Sequence, residues 1–317
     1  MMIDLDLQAA LQTLGEKYGA RLGHEVPLSR YSAARLGGPA QALLEVQTQD
    51  ELVDVVSFCW REGFPFTVLG DGSNILVSDA GVRGLVIINR ARQIHFDEQS
   101  GTPLVRAESG ANFGLLARQA AQRGLAGMEW AAGIPGTLGG AIVGNAGAHG
   151  GELSHHLRMA LILHRNDAGQ KGEVQIDEWP VEKLDFSYRS SILKRAPGRN
   201  IVLAGLIQLE RGNTQVIREK MDELVAYRRR TQPPGASTGS MFKNPPGDFA
   251  GRLIDAAGLK GARVGDAQIS PLHANFFINL GNASAADFYA LIEQARRVVA
   301  EKFAVQLELE VELIGEW

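Results

Sequence analysis

Apolar positions recur at two spacings along this chain, and the alternation between them lays out its elements. Leu52, Val55, Val56 and Cys59 mark one face of a helix between two short runs, 41–47 and 66–69, that read as strands. Phe113, Leu116, Ala117 and Ala120 repeat at helical spacing, with Asn112 where an N-cap belongs and Gly124 just past the end. Ile217, Met221, Leu224 and Val225 predict an amphipathic helix, and Phe288, Leu291, Ile292, Ala295, Val298 and Val299 predict another. The chain then reaches Val305, Leu307, Leu309, Val311 and Leu313, alternating with Gln306, Glu308, Glu310 and Glu312. That period of two predicts a strand with one apolar and one acidic face. No repeat is visible.

The stretch from Ala131 to Glu152 follows neither period, and its many glycines and alanines cannot build a core alone. Glycine clusters persist where the chain needs positive φ or where a ligand lies directly against main-chain N–H groups, and a diphosphate or a flat ring fits the second case. The alternative is a flexible linker, against which stand the interspersed Ile134, Leu138, Ile142 and Val143. A shift in composition at Arg228-Arg229-Arg230-Thr231-Gln232-Pro233-Pro234 marks a domain boundary. Cations at a helix C-terminus offset its dipole, which accounts for one or two of these arginines; the third leaves an anion site open.

With 317 residues, 45% hydrophobic and 21% charged, the chain is an ordinary globular protein, long enough for two or three domains. A net charge of -4 gives no electrostatic footprint for nucleic acid or an anionic membrane. The single Cys59, in an apolar run, excludes an internal disulfide framework and thiolate metal clusters, and reads as buried and inert; no metal site is expected. The start, Met-Met-Ile-Asp-Leu-Asp-Leu, is acidic where a secretion signal is basic, and no apolar run reaches membrane-spanning length, so a cytoplasmic location is expected.

Gly70-Asp71-Gly72-Ser73-Asn74-Ile75 copies two glycines of the dinucleotide fingerprint, but Ile75 replaces the third and Ile-Leu-Val continues as a strand. It reads better as a phosphate nest. There is no Gly-Lys dipeptide for a P-loop and no His-Glu-x-x-His for zinc. Gly235-Ala236-Ser237-Thr238-Gly239 has the spacing of a hydrolase nucleophile elbow, yet it lacks the strand before and the helix after that an elbow needs.

Six strings occur in an order that carries more than any one of them: Leu69-Gly-Asp-Gly-Ser-Asn-Ile-Leu-Val, the Gly133-to-Gly151 segment, Ser187-Tyr188-Arg189-Ser190, Gly239-Ser240-Met241-Phe242-Lys243-Asn244-Pro245, Ala257-Gly258-Leu259-Lys260-Gly261, and Leu307-Glu308-Leu309-Glu310-Val311. Across nearly its whole length the chain resembles the UDP-N-acetylenolpyruvoylglucosamine reductases. The resemblance implies an α+β protein with an FAD-binding fold of the vanillyl-alcohol-oxidase (PCMH) type in two domains, 1–90 joined by 306–317 and 91–227. A third α+β substrate-binding domain, 228–305, would complete it. It further implies a monomer that uses NADPH and FAD to reduce UDP-N-acetylglucosamine enolpyruvate in cell-wall biogenesis, and so serves cell shape, cell cycle and division. The short interval from Arg189 to Ser240 resembles the subclass without an extra tyrosine-bearing loop. Other classes are an oxidase of the same fold, a colourless UDP-sugar-binding module, and the serine hydrolase.

The implied reaction sets its own requirements. Hydride delivered to the methylene carbon leaves negative charge in the adjacent carboxylate, which needs an electrophilic holder and then an acid for the neighbouring carbon. By resemblance Arg189 and Glu310 are the carboxylate-stabilising pair and Ser240 the proton donor. Read without the family, Arg189 is a surface residue, Ser240 a turn residue, and Glu308, Glu310 and Glu312 are equivalent on one solvated face. Lys243, in the same turn as Ser240, is a candidate to relieve its alkoxide. Flavin contacts are expected from Gly70, Gly72, Ser73 and Asn74 for the diphosphate, and from Gly133, Ile134, Pro135, Gly136, Gly140, Asn145 and Gly147 for the ring. Asp71 beside a diphosphate must point away or bind an N–H. Substrate contacts are expected from Arg228, Lys243, Asn244, His273 and Asn275, with a satisfied core histidine the alternative for His273.

Oxidases of this fold tether flavin through a histidine in an early glycine-rich turn, and here that turn reads Arg35-Leu36-Gly37-Gly38-Pro39. The flavin is therefore expected to be noncovalent: purified protein is yellow, and acid precipitation leaves the colour in the supernatant. Colour that stays with the denatured polypeptide refutes this.

Overall fold

The computed structural model describes residues 2–99, 101–166 and 173–317. It comprises two compact units. Met1–His24, Ala42–Gly70 and Gly84–Val225 make the first, and Glu25–Gln41, Asp71–Arg83 and Ala226–Trp317 the second.

The first unit is built on two sheets. Strands Leu22–Pro27, Pro39–Val46, Val82–Asn89 and Phe66–Leu69 lie in that order, with Phe66–Leu69 parallel to Leu85–Ile88. An antiparallel sheet follows in the order Val174–Pro180, Leu157–Arg165, Asn200–Gln208, Leu104–Glu108, Ile94–Asp97. Its central strands are apolar on both faces. Leu163, Ile201 and Leu203 share a core with Leu52, Val56 and Trp60 of helix Gln49–Glu62, whereas Ala160, Ile162, Val202 and Ile207 share another with Phe113 and Leu116 of helix Phe113–Gln122. Strands buried on both sides read as unbroken apolar runs, and periodicity alone does not separate those from buried helix. Both helices form where the spacing predicts them. Thr48 Oγ1 accepts from Glu51 N at 3.1 Å, and Asn112 Oδ1 accepts from Leu115 N at 2.9 Å. Gly124 follows the second in left-handed backbone at φ 69°. Cys59 is fully buried, and burial pushes its thiol up to about 12, which makes it unreactive at neutral pH.

The second unit holds an antiparallel sheet in the order Ala236–Ser240, Phe276–Asn279, Ala267–Ile269, Arg263–Val264. Helix Ala285–Phe303 buries Phe288, Leu291, Ile292, Ala295 and Val299 in one core with Phe242, Leu253, Ile254 and Phe277. Ser284 and Asp287 form a capping box at its start. Asp79 doubles that cap from the loop after strand Ile75–Val77: its two carboxylate oxygens accept from Ala285 N and Ala286 N, each at 2.9 Å. Four otherwise orphaned helix amides are the reason such a site attracts an anion.

The expected strand through Val305–Leu313 is a shorter one. Only Glu312–Ile314 is strand, parallel to Ile75–Val77; before it the chain is extended and bridges Phe242 through Leu309. The alternation survives at Leu307 and Val311, both buried, beside exposed Glu308. What breaks the ladder is a change of partner: Lys243 N donates to Glu308 O and Glu310 N to Met241 O, then Glu312 N donates to Asn74 O.

Asp79→Ala removes two charge-assisted hydrogen bonds from a helix start and is expected to lower unfolding free energy by about 1–2 kcal/mol, read as a lower urea midpoint. An unchanged midpoint would show that the capping box suffices alone.

Candidate functional site

In the first unit the glycine-rich segment and the turn after Phe66–Leu69 adjoin. A Cβ built at Gly70 would lie 2.3 Å from Thr137 Oγ1, so glycine is what lets the two runs touch. Thr137 also caps the short helix Leu138–Val143, its Oγ1 accepting from Gly140 N at 3.4 Å. Gly140 is different in kind. It is exposed, and a Cβ there would meet only Thr137 Oγ1 at 3.7 Å, an ordinary contact. The protein's own atoms therefore leave room for a side chain at Gly140. Gly133, Ile134 and Gly147 are half-buried, Pro135 is exposed, and Gly136 is buried with φ 113°.

Arg189 sits in a two-residue turn whose ends, Ser187 and Ser190, exchange both backbone hydrogen bonds at 3.0 Å. Its φ is 56°, left-handed backbone that a residue with a side chain seldom adopts and that concentrates at functional positions. The guanidinium donates through Nη2 to Gly147 O at 2.6 Å and lies 5.3 Å from the centre of the Tyr188 ring. Asn145, 1% exposed and with φ 43°, donates through Nδ2 to Ser187 O at 3.3 Å. Arg189 is thus brought onto the glycine segment by the fold.

In the second unit Gly72, with φ 61°, leaves no space for a side chain, since a Cβ would be 1.9 Å from Tyr31 O. Half-buried Ser73 and Asn74 follow it. Asn74 Nδ2 donates to Glu310 O at 3.0 Å, and Glu310 N donates to Met241 O at 2.9 Å. Glu310 is therefore strung between the Gly72–Asn74 turn and the residue after Ser240. Spacing had not chosen among three glutamates; here Glu310 alone has both backbone groups engaged between those two turns. Glu308 is exposed and pairs with Lys243 Nζ at 3.3 Å.

Ser240 lines an open cleft of about 410 Å³ together with Asn244, Phe249, Lys260, Leu272 and His273. Among the described residues its hydroxyl has no hydrogen-bond partner. Asn275, 3% exposed, holds the turn behind it: Phe242 N donates to its Oδ1 at 2.9 Å and its Nδ2 donates to Phe242 O at 2.8 Å. Its carboxamide is occupied by main chain, so Asn275 supports the turn from behind. Asn244 Oδ1 accepts from Ala250 N at 3.1 Å, at the start of helix Ala250–Ala256. His273 Nδ1 accepts from Asn275 N at 3.2 Å, which puts the proton of the neutral ring on Nε2, and burial pushes its pKa down. Arg228 is half-buried, burial pushes its guanidinium below the ordinary arginine value, and among the described residues that group makes no hydrogen bond or ion pair. Removed from water, a guanidinium gains most from an anionic partner. The sequence signalled Arg228 only as one of three arginines; burial singles it out. Thr137 carried no signal in the sequence, because a lone threonine has no spacing. No group of three or more potential metal ligands occurs among the described residues.

Residues 226–314 match the family described as UDP-N-acetylenolpyruvoylglucosamine reductase, C-terminal domain, and residues 40–166 match the FAD binding domain. The UDP-N-acetylenolpyruvoylglucosamine reductase of Chloroflexus aggregans is 46% identical over 292 residues, 91% of this chain and 96% of that one. That of Rubrobacter xylanophilus is 46% identical over 290 residues, covering 92% and 94%. The crystal structure of the Thermus caldophilus enzyme of the same name superposes with a TM-score of 0.76 at 37% identity, over 93% of this chain and 99% of that one.

Gly140→Ala separates a ligand's need for glycine from the fold's. Alanine gains up to ~1 kcal/mol over glycine in a helix, so the flavin-free variant is expected to melt no lower than the parent. Its flavin dissociation constant should rise at least ~10-fold. Equal flavin affinity would remove Gly140 from the ring site.

Proposed function

The chain belongs to the UDP-N-acetylenolpyruvoylglucosamine reductase family, and on that premise we propose how its residues divide the work. It is an NADPH-dependent FAD oxidoreductase that reduces UDP-N-acetylglucosamine enolpyruvate to UDP-N-acetylmuramate in peptidoglycan precursor synthesis. The proposal concerns which side chains carry that reaction, and one observation supports it above the rest: Ser240, whose hydroxyl has no hydrogen-bond partner among the described residues, lines a cleft one residue from the carbonyl that anchors Glu310.

The glycine-lined runs fit the flavin: Gly133, Ile134, Pro135, Gly136, Gly140 and Gly147 would lie along its ring, and Gly70, Gly72, Ser73 and Asn74 along its diphosphate. FAD, when bound, takes hydride from NADPH and supplies it to the enolpyruvyl double bond. Arg189 holds the substrate carboxylate, and its grip strengthens as charge accumulates there, because hydrogen bonds to an anion are roughly twice as strong as neutral ones. Ser240 then delivers its proton to the carbon next to the carboxylate. Glu310 serves in its protonated form or through a water, since a bare carboxylate beside an enolate raises the barrier. Lys243, three residues from Ser240, offers positive charge to the alkoxide; its present partner Glu308 is exposed, and solvent weakens such a pair.

For the nucleotide sugar we assign Arg228 to a phosphate and Asn244 and His273 to the polar wall of the cleft, with Asn275 acting through Phe242. In functional terms 228–305 takes the sugar nucleotide, and 1–90 with 306–317 and 91–227 take the flavin. Among the described residues no helix is long and apolar enough to cross a membrane. We place the enzyme in the cytoplasm as a monomer, where wall precursors feed cell shape and division.

General acids contribute ~10²–10⁴ in rate, so Ser240→Ala is expected to slow reoxidation of reduced flavin by the enolpyruvyl substrate by about that factor while NADPH reduces the flavin at near the parent rate. Stopped-flow absorbance separates the two. Equal loss in both half-reactions means that Ser240 supports the site instead of donating a proton.

A further inference from the structure

Two fully buried polar side chains converge on the Arg189 turn. Ser191, 0% exposed, donates through Oγ to Val143 O at 2.7 Å and accepts from Lys194 N at 3.2 Å. Asn145, 1% exposed, donates to Ser187 O at 3.3 Å and accepts from Ser154 N at 3.1 Å. The cap on the short helix Ile192–Arg195 accounts for what Ser191 accepts. It leaves unexplained why the hydroxyl proton goes to Val143, 48 residues away in sequence. With the Arg189–Gly147 bond, the 187–191 turn is fixed to alternate residues 143, 145 and 147 of the glycine segment.

We propose that Ser191 and Asn145 are positioning residues for Arg189, holding its turn in left-handed backbone so that the guanidinium meets the substrate carboxylate preorganised. This rests on the role assigned to Arg189 above. The physical need is specific. A residue with a side chain leaves the left-handed region unless its surroundings over-determine it, and the turn's own pair of backbone bonds tolerates several central conformations. Clamps on both flanks, at Ser187 and at Ser191, remove that freedom. The bond from Nη2 to Gly147 O fixes the guanidinium plane at one end. Charge stabilisation of this kind depends on donors that do not reorganise during the reaction, and a displacement of about 1 Å costs on the order of 10²-fold.

The test is a double-mutant cycle on the flavin-loaded enzyme. Ser191→Ala is expected to slow substrate-driven flavin reoxidation roughly 10- to 100-fold, to leave NADPH-driven reduction within about twofold, and to add less than about twofold to the defect of Arg189→Ala. Hydrogen exchange at Ser190 N–H should accelerate in Ser191→Ala with the rest of the chain unchanged. Asn145→Gly, which tolerates left-handed backbone but lacks the Ser187 bond, should show the same non-additivity and covers the case in which Ser191→Ala does not fold. Losses that multiply with Arg189→Ala, or fall equally on both half-reactions, overturn the positioning role. Should Arg189→Ala alone reoxidise at the parent rate, the assignment of Arg189 fails and takes this proposal with it, an outcome visible before any cycle is closed.

Discussion

An extended piece of main chain, not a side chain, is the element on which the neighbourhood of Ser240 and Glu310 depends. Residues 308–312 satisfy their backbone groups against two loops in turn, the Met241–Lys243 turn and Asn74. Backbone amides and carbonyls removed from water must be paired, so an extended segment with no neighbouring strand over most of its length has to find partners in loops. In doing so it fixes the distance between those loops. Glu310, Ser240 and the Gly72–Asn74 turn occupy set positions because one peptide segment completes the hydrogen bonding of all three neighbourhoods. Asn275 repeats the device from the other side, its carboxamide standing in for a strand against Phe242.

The glycines serve two different ends. At Gly70 and Gly72 the protein's own atoms occupy the space a Cβ would need. These residues would be glycine whether or not a ligand existed. Gly140 is free of that constraint, since its own fold would accept a larger residue. A glycine-rich string is therefore a mixed signal, part architecture and part binding surface, and only coordinates sort the two.

Much of the architecture was legible. Helices 49–62, 113–122 and 285–303 follow their apolar spacing, and the cap of the second is the expected Asn112, whereas Thr48 and Ser284 cap the others without having been read from the sequence. The continuous runs of the five-stranded sheet hid their period because both faces are buried. The terminal strand was overextended because alternation reports which side chains are inside and says nothing of which backbone partner lies alongside. Among the candidate site residues, Arg189 and Ser240 owed their prominence to family strings, as did Asn275, whereas the bonds of Ser191 to Val143 and of Asn275 to Phe242 join segments tens of residues apart and leave no local signal. Arg228 illustrates a third case: its type and neighbourhood were readable, but desolvation is a property of the packed chain.

The bond between Asn74 and Glu310 joins residues 236 positions apart. Contacts of such sequence separation form late, because closing a long loop costs entropy before any contact repays it. During synthesis the turn at Gly72 leaves the ribosome long before the segment that completes it, and must wait with its polar groups hydrated while most of the polypeptide is still being made. The glycine segment, by contrast, lies within about seventy residues of everything that clamps it. The Arg189 turn and the Glu310 segment thus meet their partners at different points in synthesis.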